Sequence, residues 1–289
     1  MVSTLYIIVT YQGERYIQTC IESVRKNDPD AEIWVYDNNS TDRTRSILSG
    51  LGVKYSSGPK NIGFGAANNI GLGYFLRSTH SHCFLLNQDA YITADTLQAY
   101  DLASIQPHSI IAPLQLTGDG VNFDKKFRDR YLNHEYCPNF YSDHYFGRLM
   151  DLYPLEFAPA AAWIMPKEVV ERVGGFSPTF FHYGEDDNYV QRCHYHGIAL
   201  YLAPKAIVLH DRQDRTPDPV HMAEKVTRRR RLLLKLSNPN RNGAELRSRV
   251  LSCLSPLTKY PLQYHEVHRA VQNRNLSKIP GATFLSRTP

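Results

Sequence analysis

Short apolar runs alternate with segments of helical spacing over the first hundred residues. Thr4 to Thr10 is a β-branched apolar run typical of a buried parallel strand, and a helix is predicted over Thr19 to Arg25. The same patterns predict strands at Glu32 to Tyr36, Val53 to Tyr55 and His82 to Leu86, and helices towards Leu48 and over Ala66 to Leu76. Strands that alternate with helices indicate βαβ units and a mostly parallel sheet.

The second half of the chain continues this alternation less regularly. The predicted elements are a strand over Ala158 to Pro166, a helix over Lys167 to Val173 stopped by Gly174-Gly175, a helix over Asn188 to His196, and short strands at Leu200 to Leu202 and Ala206 to Leu209. The segment Gly118 to Tyr145 is predicted to form loops.

The composition excludes several classes of protein. The chain has 289 residues, of which 42% are hydrophobic and 11% aromatic, so it can bury a large core and is not a disordered tail. Its five cysteines are dispersed without a CxxC pair, which argues against a disulfide framework or a zinc ribbon. Neither a membrane-spanning run of about 20 apolar residues nor a secretory signal is visible, so we expect a cytoplasmic protein.

The net charge of +5 is divided unevenly between two parts of the chain. Residues 211–289 carry 16 Lys and Arg against 6 Asp and Glu, a charge of +10, whereas residues 1–210 carry 17 against 22, a charge of −5. An acidic body with a basic tail does not predict a nucleic-acid partner. In the tail, Asp218-Pro219 opens a predicted helix over Val220 to Leu236 that contains Arg228 to Arg231. This helix is interpreted either as solvated and partly packed on the domain, or as a peripheral contact to the inner face of an anionic membrane.

Polar residues follow three of the predicted strands, at the sheet edge where ligands bind in α/β folds. They are Thr10 and Tyr11, Asp37, and Asn87 with Asp89. Any one of them could simply cap a helix or form a turn, but three such strand ends favour a ligand site. The glycines from Gly63 to Gly73 do not form G-x-G-x-x-G, and no P-loop is present, so neither classical nucleotide motif applies.

An acidic triplet, Glu185-Asp186-Asp187, follows an aromatic cluster that begins at Phe180. Three adjacent carboxylates repel one another, so at least one should have a raised pKa or a cationic partner. The alternative is an acidic helix N-terminus on the surface, which the helix dipole favours. His210 ends the last predicted strand, where a histidine is either structural or a ligand.

Together these segments resemble the family 2 glycosyltransferases of the GT-A fold, and most closely a subgroup that makes bacterial surface polysaccharides and includes rhamnosyltransferases. The resemblance covers about Leu5 to His210 and more weakly extends to Asn240. Its motifs are Val9 to Tyr11, Asp37 to Asp42, Asn61 to Asn68, Leu85 to Asp89, Val173 to Phe176, Gly184 to Asp187, Arg192, Gly197, Pro204 and His210. They occur in the family's order and spacing.

The resemblance implies an α/β fold with a mixed, mostly parallel sheet flanked by helices. Residues 1–210 would form the catalytic domain, with a nucleotide-sugar-binding half at 1–100 and an acceptor-binding half at 101–210. Residues 211–289 would be a basic, partly helical extension. The implied activity is inverting transfer of a sugar, rhamnose being one candidate, from a UDP- or dTDP-sugar to a glycan or lipid-linked acceptor, assisted by Mn²⁺ or Mg²⁺.

The resemblance also implies roles for individual residues. Asp186 would be the general base, with Glu185 beside it, while Asp89 and His210 would hold the metal. The residues expected to bind the nucleotide sugar are Thr10, Tyr11, Asp37, Asn61, Asn68, Asn87 and Asp89. Asn87 replaces the first aspartate of the D-x-D motif, which leaves one carboxylate fewer for the metal.

Two other functions remain open at the level of sequence. One is a nucleotide-sugar-binding protein without catalysis, although Asp89, Asp186 and His210 are all present. The other is a nucleotidyltransferase, which would normally have a glycine-rich basic loop after the first strand. The segment Tyr11 to Arg15 resembles such a loop poorly.

Overall fold

Both halves of the chain contribute strands to one mixed sheet. The computed structural model describes residues 3–212, 223–242, 245–246, 248, 250–251, 262–281 and 284–285. Within them the strands are β1 Thr4–Thr10, β2 Glu32–Asp37, β3 Lys54–Ser57, β4 His82–Asn87, β5 Ala90–Ile92, β6 Ser109–Thr117, β7 Tyr153–Pro154, β8 Ala162–Pro166 and β9 Ala199–His210.

Helices cover both faces of this sheet. They are α1 Ile17–Asn27, α2 Thr44–Gly50, α3 Phe64–Arg77, α4 Gln98–Ile105, α5 Lys125–Tyr131, α6 Phe140–Tyr145, α7 Lys167–Val173, α8 Glu185–Tyr195, α9 Glu224–Ser237 and α10 Tyr264–Leu276. A 3-10 turn over Ala94–Leu97 precedes α4.

The strand order explains where a ligand can bind. In the described residues the order is β3-β2-β1-β4-β8-β6-β9-β5, with β7 also paired to β9. The strands β3, β2, β1 and β4 are parallel, β8 is antiparallel to both its neighbours, and β6 is parallel to β9. The predicted mixed and mostly parallel sheet is confirmed. Its parallel part gathers the carboxyl ends of four strands at one edge.

Alternation along β1 divides the core between the two faces of the sheet. Leu5 and Ile7 point towards α3, α7 and α8, whereas Tyr6 and Ile8 point towards α1, α2 and α4. All seven residues of β1 are buried, which is why the run between its two threonines is hydrophobic at every position instead of at every second one.

Strand β9 is one strand of twelve residues, so the prediction of two short strands was wrong. Its register with β6 shifts after the pair Pro113–Ala203, because the next pair is Leu114–Ile207. The residues Pro204 to Ala206 therefore bulge from the ladder. A proline that lacks an N–H is tolerated at such a bulge, and the strand continues beyond it to His210.

The segment predicted to form loops contains two short helices, so that prediction was also wrong. Helix α5 begins after Asp124, whose carboxylate accepts a hydrogen bond from Phe127 N at 2.8 Å. The same carboxylate forms an ion pair with Arg212, two residues beyond β9. The bond to Arg212 and the N-cap outweigh burial, which acts to raise the pKa of Asp124, and lower that pKa overall. This ion pair links α5 to the end of β9.

The described part of the basic extension packs against α8. Asn188 of α8 donates to Ser237 O at 3.3 Å, and Asn240 donates to Gln191 O at 2.7 Å. A further contact joins His196 Nε2 to Ser277 O at 2.8 Å. The predicted helix start at Asp218-Pro219 lies outside the described residues, and α9 is described from Glu224. In the described residues, no helix has the length and apolar character needed to cross a membrane.

Candidate active site

Polar strand ends meet at the carboxyl edge of the parallel sheet. Thr10 of β1 is directly opposite Asp37 of β2, and Val9 is opposite Asn87 of β4. The sequence-based expectation that these residues lie together is therefore met by the register.

A cavity of about 380 Å³ opens over this edge. Its size is within the range of small-molecule pockets. Its lining residues are Val9, Tyr11, Asn38, Asn61, Gly63, Phe64, Asn87, Gln88, Asp89, Phe181, His182 and Tyr183. Four predicted nucleotide-sugar ligands, Tyr11, Asn61, Asn87 and Asp89, therefore line one cavity. The Oδ1 atom of Asn87 is buried and has no hydrogen-bond partner among the described residues, so it is available to a ligand.

The other three predicted ligands lie behind the cavity wall. Thr10 is buried and donates to Gln88 Oε1 at 2.6 Å. Asp37 is fully buried and accepts from Arg45 Nε at 2.6 Å, and Asn68 donates from α3 to Phe64 O at 3.0 Å. Each of these side chains is held by a hydrogen bond within the protein, and direct contact with the nucleotide remains a prediction for all three.

Gln88 is a structural residue of the site that the sequence did not reveal. Its Oε1 accepts from Thr10 Oγ1 and from Tyr11 N at 3.0 Å, and its Nε2 donates to Tyr11 O at 3.2 Å. These bonds tie the segment after β1 to the turn after β4. A Cβ atom at Gly13 would lie 2.3 Å from Thr10 Oγ1 and 2.4 Å from Gln88 Oε1, so glycine is required there.

Gly63 brings the Asn61 loop against the aromatic segment before α8. Its φ of +86° favours glycine, and an added Cβ would lie only 2.1 Å from Phe181 O. Asn61 Oδ1 accepts from Gly63 N at 2.8 Å and shapes the same turn. The close approach joins the predicted nucleotide side of the cavity to the predicted acceptor side.

Asp89 and His210 lie side by side although 120 positions separate them in the chain. Strands β5 and β9 pair Ala90 with His210, and Asp211 N donates to Asp89 O at 2.8 Å. The distance from Asp89 Oδ2 to His210 Nε2 is 3.6 Å, and both side chains are 1% exposed. The two predicted metal ligands are thus adjacent.

Gln115 of β6 fixes the imidazole of His210. Gln115 Oε1 lies 3.0 Å from His210 Nδ1, and an amide oxygen can only accept, so Nδ1 carries a proton. Nε2 lies beside Asp89 and has no hydrogen-bond partner among the described residues, and in the neutral ring it offers a lone pair to a ligand. This is the usual way in which an outer hydrogen bond orients a metal-binding histidine.

The Asp89–His210 pair fits a divalent cation. Two ligand atoms, each about 2.1 Å from a shared ion, are roughly 3.0 to 3.6 Å apart when the angle between them is about 90° to 120°. The observed 3.6 Å is at the upper end of that range. In the part of the chain that the structure describes, no third His, Cys, Asp or Glu joins the pair. Water and phosphate oxygens would therefore have to complete the coordination, as they do for Mg²⁺.

The acidic triplet forms the first turn of α8, three residues earlier than predicted. Gly184 precedes it with a φ of +100°, which ends the aromatic segment and lets the helix begin at Glu185. Glu185 is 5% exposed, and Asp186 and Asp187 are half-buried. The positive end of the helix dipole favours these carboxylates, but they lie beside the cavity and not on an open surface.

Burial is the largest cause of the raised pKa values in this turn. It raises the pKa of Asp186 to about 6, with the charge of Asp187 as the next cause. It raises the pKa of Glu185 to about 8, with Asp186 next. The sequence predicted a shift from neighbouring charges, and the structure adds a stronger contribution from desolvation. A carboxylate with a pKa near the working pH suits a general base.

We expect Glu185→Gln to stabilise the fold increasingly as pH rises. Glutamate ordinarily titrates near 4.5, and burial raises its pKa here to about 8, so the folded state holds this proton more tightly than the unfolded chain. The resulting stability is complete below the lower value and is lost as pH rises through the upper one. The Glu185→Gln variant has no ionisable group at this position, so its stability does not fall for this reason over that pH range. Melting temperatures between pH 5 and 8 measure the difference, with the exposed Glu171→Gln as control. Equal pH slopes for wild type and Glu185→Gln would contradict it.

Arg192 of α8, one of the motif residues of the family resemblance, is a structural residue. It is fully buried and donates to the carbonyl oxygens of Val173 and Gly175. Burial lowers its pKa to about 10. These bonds fasten α8 to the glycines that end α7.

Solved structures with the same fold are glycosyltransferases. GalNAc-T7 with UDP, GalNAc and Mn²⁺ superposes with a TM-score of 0.60 at 14% sequence identity, and the match covers 95% of this chain and 55% of the GalNAc-T7 chain. The mannosyltransferase PcManGT of Pyrobaculum calidifontis with GDP-Man and Mn²⁺ has a TM-score of 0.58 at 15% identity, covering 95% of this chain and 73% of PcManGT. S. aureus TarS with UDP-GlcNAc has a TM-score of 0.56 at 15% identity, covering 96% of this chain and 72% of TarS. At these identities the likeness concerns the fold, which is of the GT-A class.

Sequence comparison gives the family. The chain matches glycosyl transferase family 2 over residues 6–174 and belongs to that family. The low-salt glycan biosynthesis hexosyltransferase Agl10 of Haloferax volcanii is 25% identical over 203 residues, which are 67% of this chain and 62% of Agl10. Protein RfbJ of Shigella flexneri is 31% identical over 98 residues, 34% of this chain and 67% of RfbJ. The chain thus spans less than two thirds of Agl10.

Proposed function

We propose that this chain is an inverting glycosyltransferase that transfers a sugar from a UDP- or dTDP-sugar to a glycan or lipid-linked acceptor in surface polysaccharide biosynthesis. The observation that carries the proposal is the Asp89–His210 pair at 3.6 Å, beside a cavity whose opposite wall leads directly into the acidic turn of α8. The name of Agl10 as a glycan hexosyltransferase supports the class of reaction.

In this mechanism the chain supplies binding groups in the cavity and a base just beyond the wall that Phe181 to Tyr183 form. Tyr11, Asn61 and Asn87 hold the nucleotide sugar in the cavity. Asp186 accepts the proton of the acceptor hydroxyl as the acceptor oxygen bonds to the anomeric carbon. The bond between that carbon and the diphosphate oxygen breaks, and the nucleoside diphosphate leaves with the electron pair from the opposite face. The configuration at the anomeric carbon is inverted.

Asp89 and His210 are the residues that would hold a divalent cation. When bound, such a cation supplies positive charge to the phosphates of the leaving group. Two solved structures of the same fold contain Mn²⁺, which supports a divalent metal. Oxygen and imidazole ligands suit Mn²⁺, while Mg²⁺ prefers oxygen alone, so we favour Mn²⁺ for this pair.

A screen of donors tests the proposed function. Thermal shift is measured with UDP-, dTDP- and GDP-sugars, dTDP-rhamnose among them, with Mn²⁺, with Mg²⁺ and with a chelator. We expect one nucleotide class to raise the melting temperature in the presence of metal, and the same donor to release its nucleoside diphosphate on incubation. Metal-dependent binding without any release would favour a nucleotide-sugar-binding protein that lacks catalysis.

In this proposal α9 contacts an anionic membrane surface, where a lipid-linked acceptor would be found. Arg228, Arg231 and Lys235 are all exposed and, at helical spacing, share one side of this helix. Arg229 instead pairs with Glu266 of α10. Co-sedimentation with vesicles tests the contact. Vesicle binding that does not increase with the anionic lipid content, or that persists in the double variant Arg228→Ala, Arg231→Ala, would refute it.

A further inference from the structure

Arg230 brings the basic extension into contact with the acidic end of α8. Its guanidinium carbon is 5.7 Å from the centroid of the Tyr183 ring. A Cβ atom built on Gly184 would lie 3.2 Å from Arg230 Cγ, so the aliphatic part of the arginine covers that glycine. Tyr183 lines the cavity, and Gly184 is the residue before α8. Arg230 therefore touches the link between the cavity wall and the acidic turn.

The backbone of this link is in a conformation that needs support. Tyr183 has a φ of +64° and Gly184 a φ of +100°, so two consecutive residues lie in the left-handed region. Glycine adopts it freely, but a bulky residue such as tyrosine does not and stays there only where neighbouring contacts hold it. The guanidinium of Arg230, which lies over the Tyr183 ring, is one such contact.

The four consecutive arginines of α9 differ in their surroundings. Arg228 and Arg231 are exposed, and Arg229 pairs with Glu266, whereas Arg230 is half-buried against Tyr183. Helix α9 is held in this position by the hydrogen bonds of Asn188 to Ser237 described above. The placement of Arg230 is therefore a property of the packed helix and not of a free side chain.

Arg230 also contributes charge to the acidic turn. The charged and titratable groups that face the three carboxylates from other elements are Arg130 and Tyr131 of α5 and Arg230 of α9. Burial raises the pKa of Asp187, and the charges of Arg130 and Arg230 both act against this. In the same way Arg230 opposes the burial that raises the pKa of Glu185. Cations from two helices thus act on the acidic triplet.

We propose that Arg230 is a positioning residue for sugar transfer, which holds the Tyr183–Gly184 turn so that the first turn of α8 presents Asp186 to the acceptor. This inference rests on the proposed function, since it takes Asp186 as the base. It makes the extension part of the active site through one side chain. The neighbouring arginines have no such role.

The test compares Arg230→Met with Arg230→Lys and with the control Arg77→Met, which removes an exposed arginine in the last turn of α3. With the donor found in the screen, we expect Arg230→Met to lower kcat about tenfold or more, with KM for the donor within about twofold. The acidic limb of the pH profile of kcat/KM should move up by about half a unit, because a half-exposed cation is lost from the acidic turn. Arg230→Lys should restore the limb, and Arg77→Met should match wild type.

A second measurement needs no substrate. We expect Arg230→Met to lower the melting temperature by about 2 °C more at pH 8 than at pH 5, because the carboxylates ionise over that range without their cation. Arg77→Met should show no such dependence. If no donor is turned over but this pattern appears, the proposed function fails and the placement of Arg230 stands. If Arg230→Met behaves like Arg77→Met in both measurements, the inference is overturned.

Discussion

Replacing Asp186 with asparagine is expected to lower kcat by about 10²- to 10⁴-fold, the usual contribution of a general base. Asparagine has nearly the same shape but cannot accept the proton of the acceptor hydroxyl. Because Asp186 is beyond the segments that line the cavity, the affinity for the donor should change by less than about twofold. Single-turnover kinetics and isothermal titration with the donor from the screen measure the two quantities separately.

The matched control is Asp187→Asn, which removes the adjacent carboxylate of the same helical turn. It should reduce kcat far less than Asp186→Asn. Both variants remove one of three like charges, so neither should melt at a lower temperature than wild type near neutral pH. Near-normal turnover by Asp186→Asn, or equal losses in the two variants, would show that the base has been assigned wrongly.

Asp89→Ala and His210→Ala should each remove the dependence of donor binding on Mn²⁺. In the wild type we expect Mn²⁺ to tighten donor binding by at least about tenfold over a chelator, and each variant to bind equally in both conditions. Removing either member of the pair leaves one protein ligand, which is too few to hold the cation beside the diphosphate. Titration of each protein with Mn²⁺ alone, followed by electron paramagnetic resonance, reports the metal without turnover.

Asp151→Ala is the control for this pair, since Asp151 is an exposed aspartate that pairs with Lys205. It should bind donor and Mn²⁺ as the wild type does. A wild-type protein whose donor affinity is the same with Mn²⁺ and with chelator would count against a metal at Asp89 and His210, whatever the variants do.

Two kinds of element were predicted best from the sequence: strands buried on both faces of the sheet, and helices whose last residue is marked by a following glycine. β1 was predicted with its exact bounds because every residue in Thr4–Thr10 is apolar or β-branched. α7 was also exact, because Gly174 ends it. β6 was not predicted, since Pro113 interrupts its apolar run. That proline is tolerated only because the ladder shifts register there, and a register shift depends on the partner strand.

Site residues that follow the end of a strand were predictable from the sequence. Residues whose role depends on how distant elements pack together were not. The pairing of Asp89 with His210 followed from the family resemblance, and strand pairing brings the two together. Gln115 and Arg230 could not be found from sequence. Gln115 is an isolated amide within an apolar strand, and Arg230 is one of four identical residues in a row. Only the packing of β6 on β9 and of α9 on α8 distinguishes them.

The ladder between β5 and β9 has a consequence for synthesis of the protein. Asp89 leaves the ribosome early, with the parallel strands β1 to β4 already made, and a nascent domain can begin to fold at that stage. Its imidazole partner emerges 121 residues later, on the strand that pairs with β5. A growing chain therefore has its parallel strands long before both proposed cation ligands are present, and any transfer activity that depends on the cation should be absent until translation has passed His210.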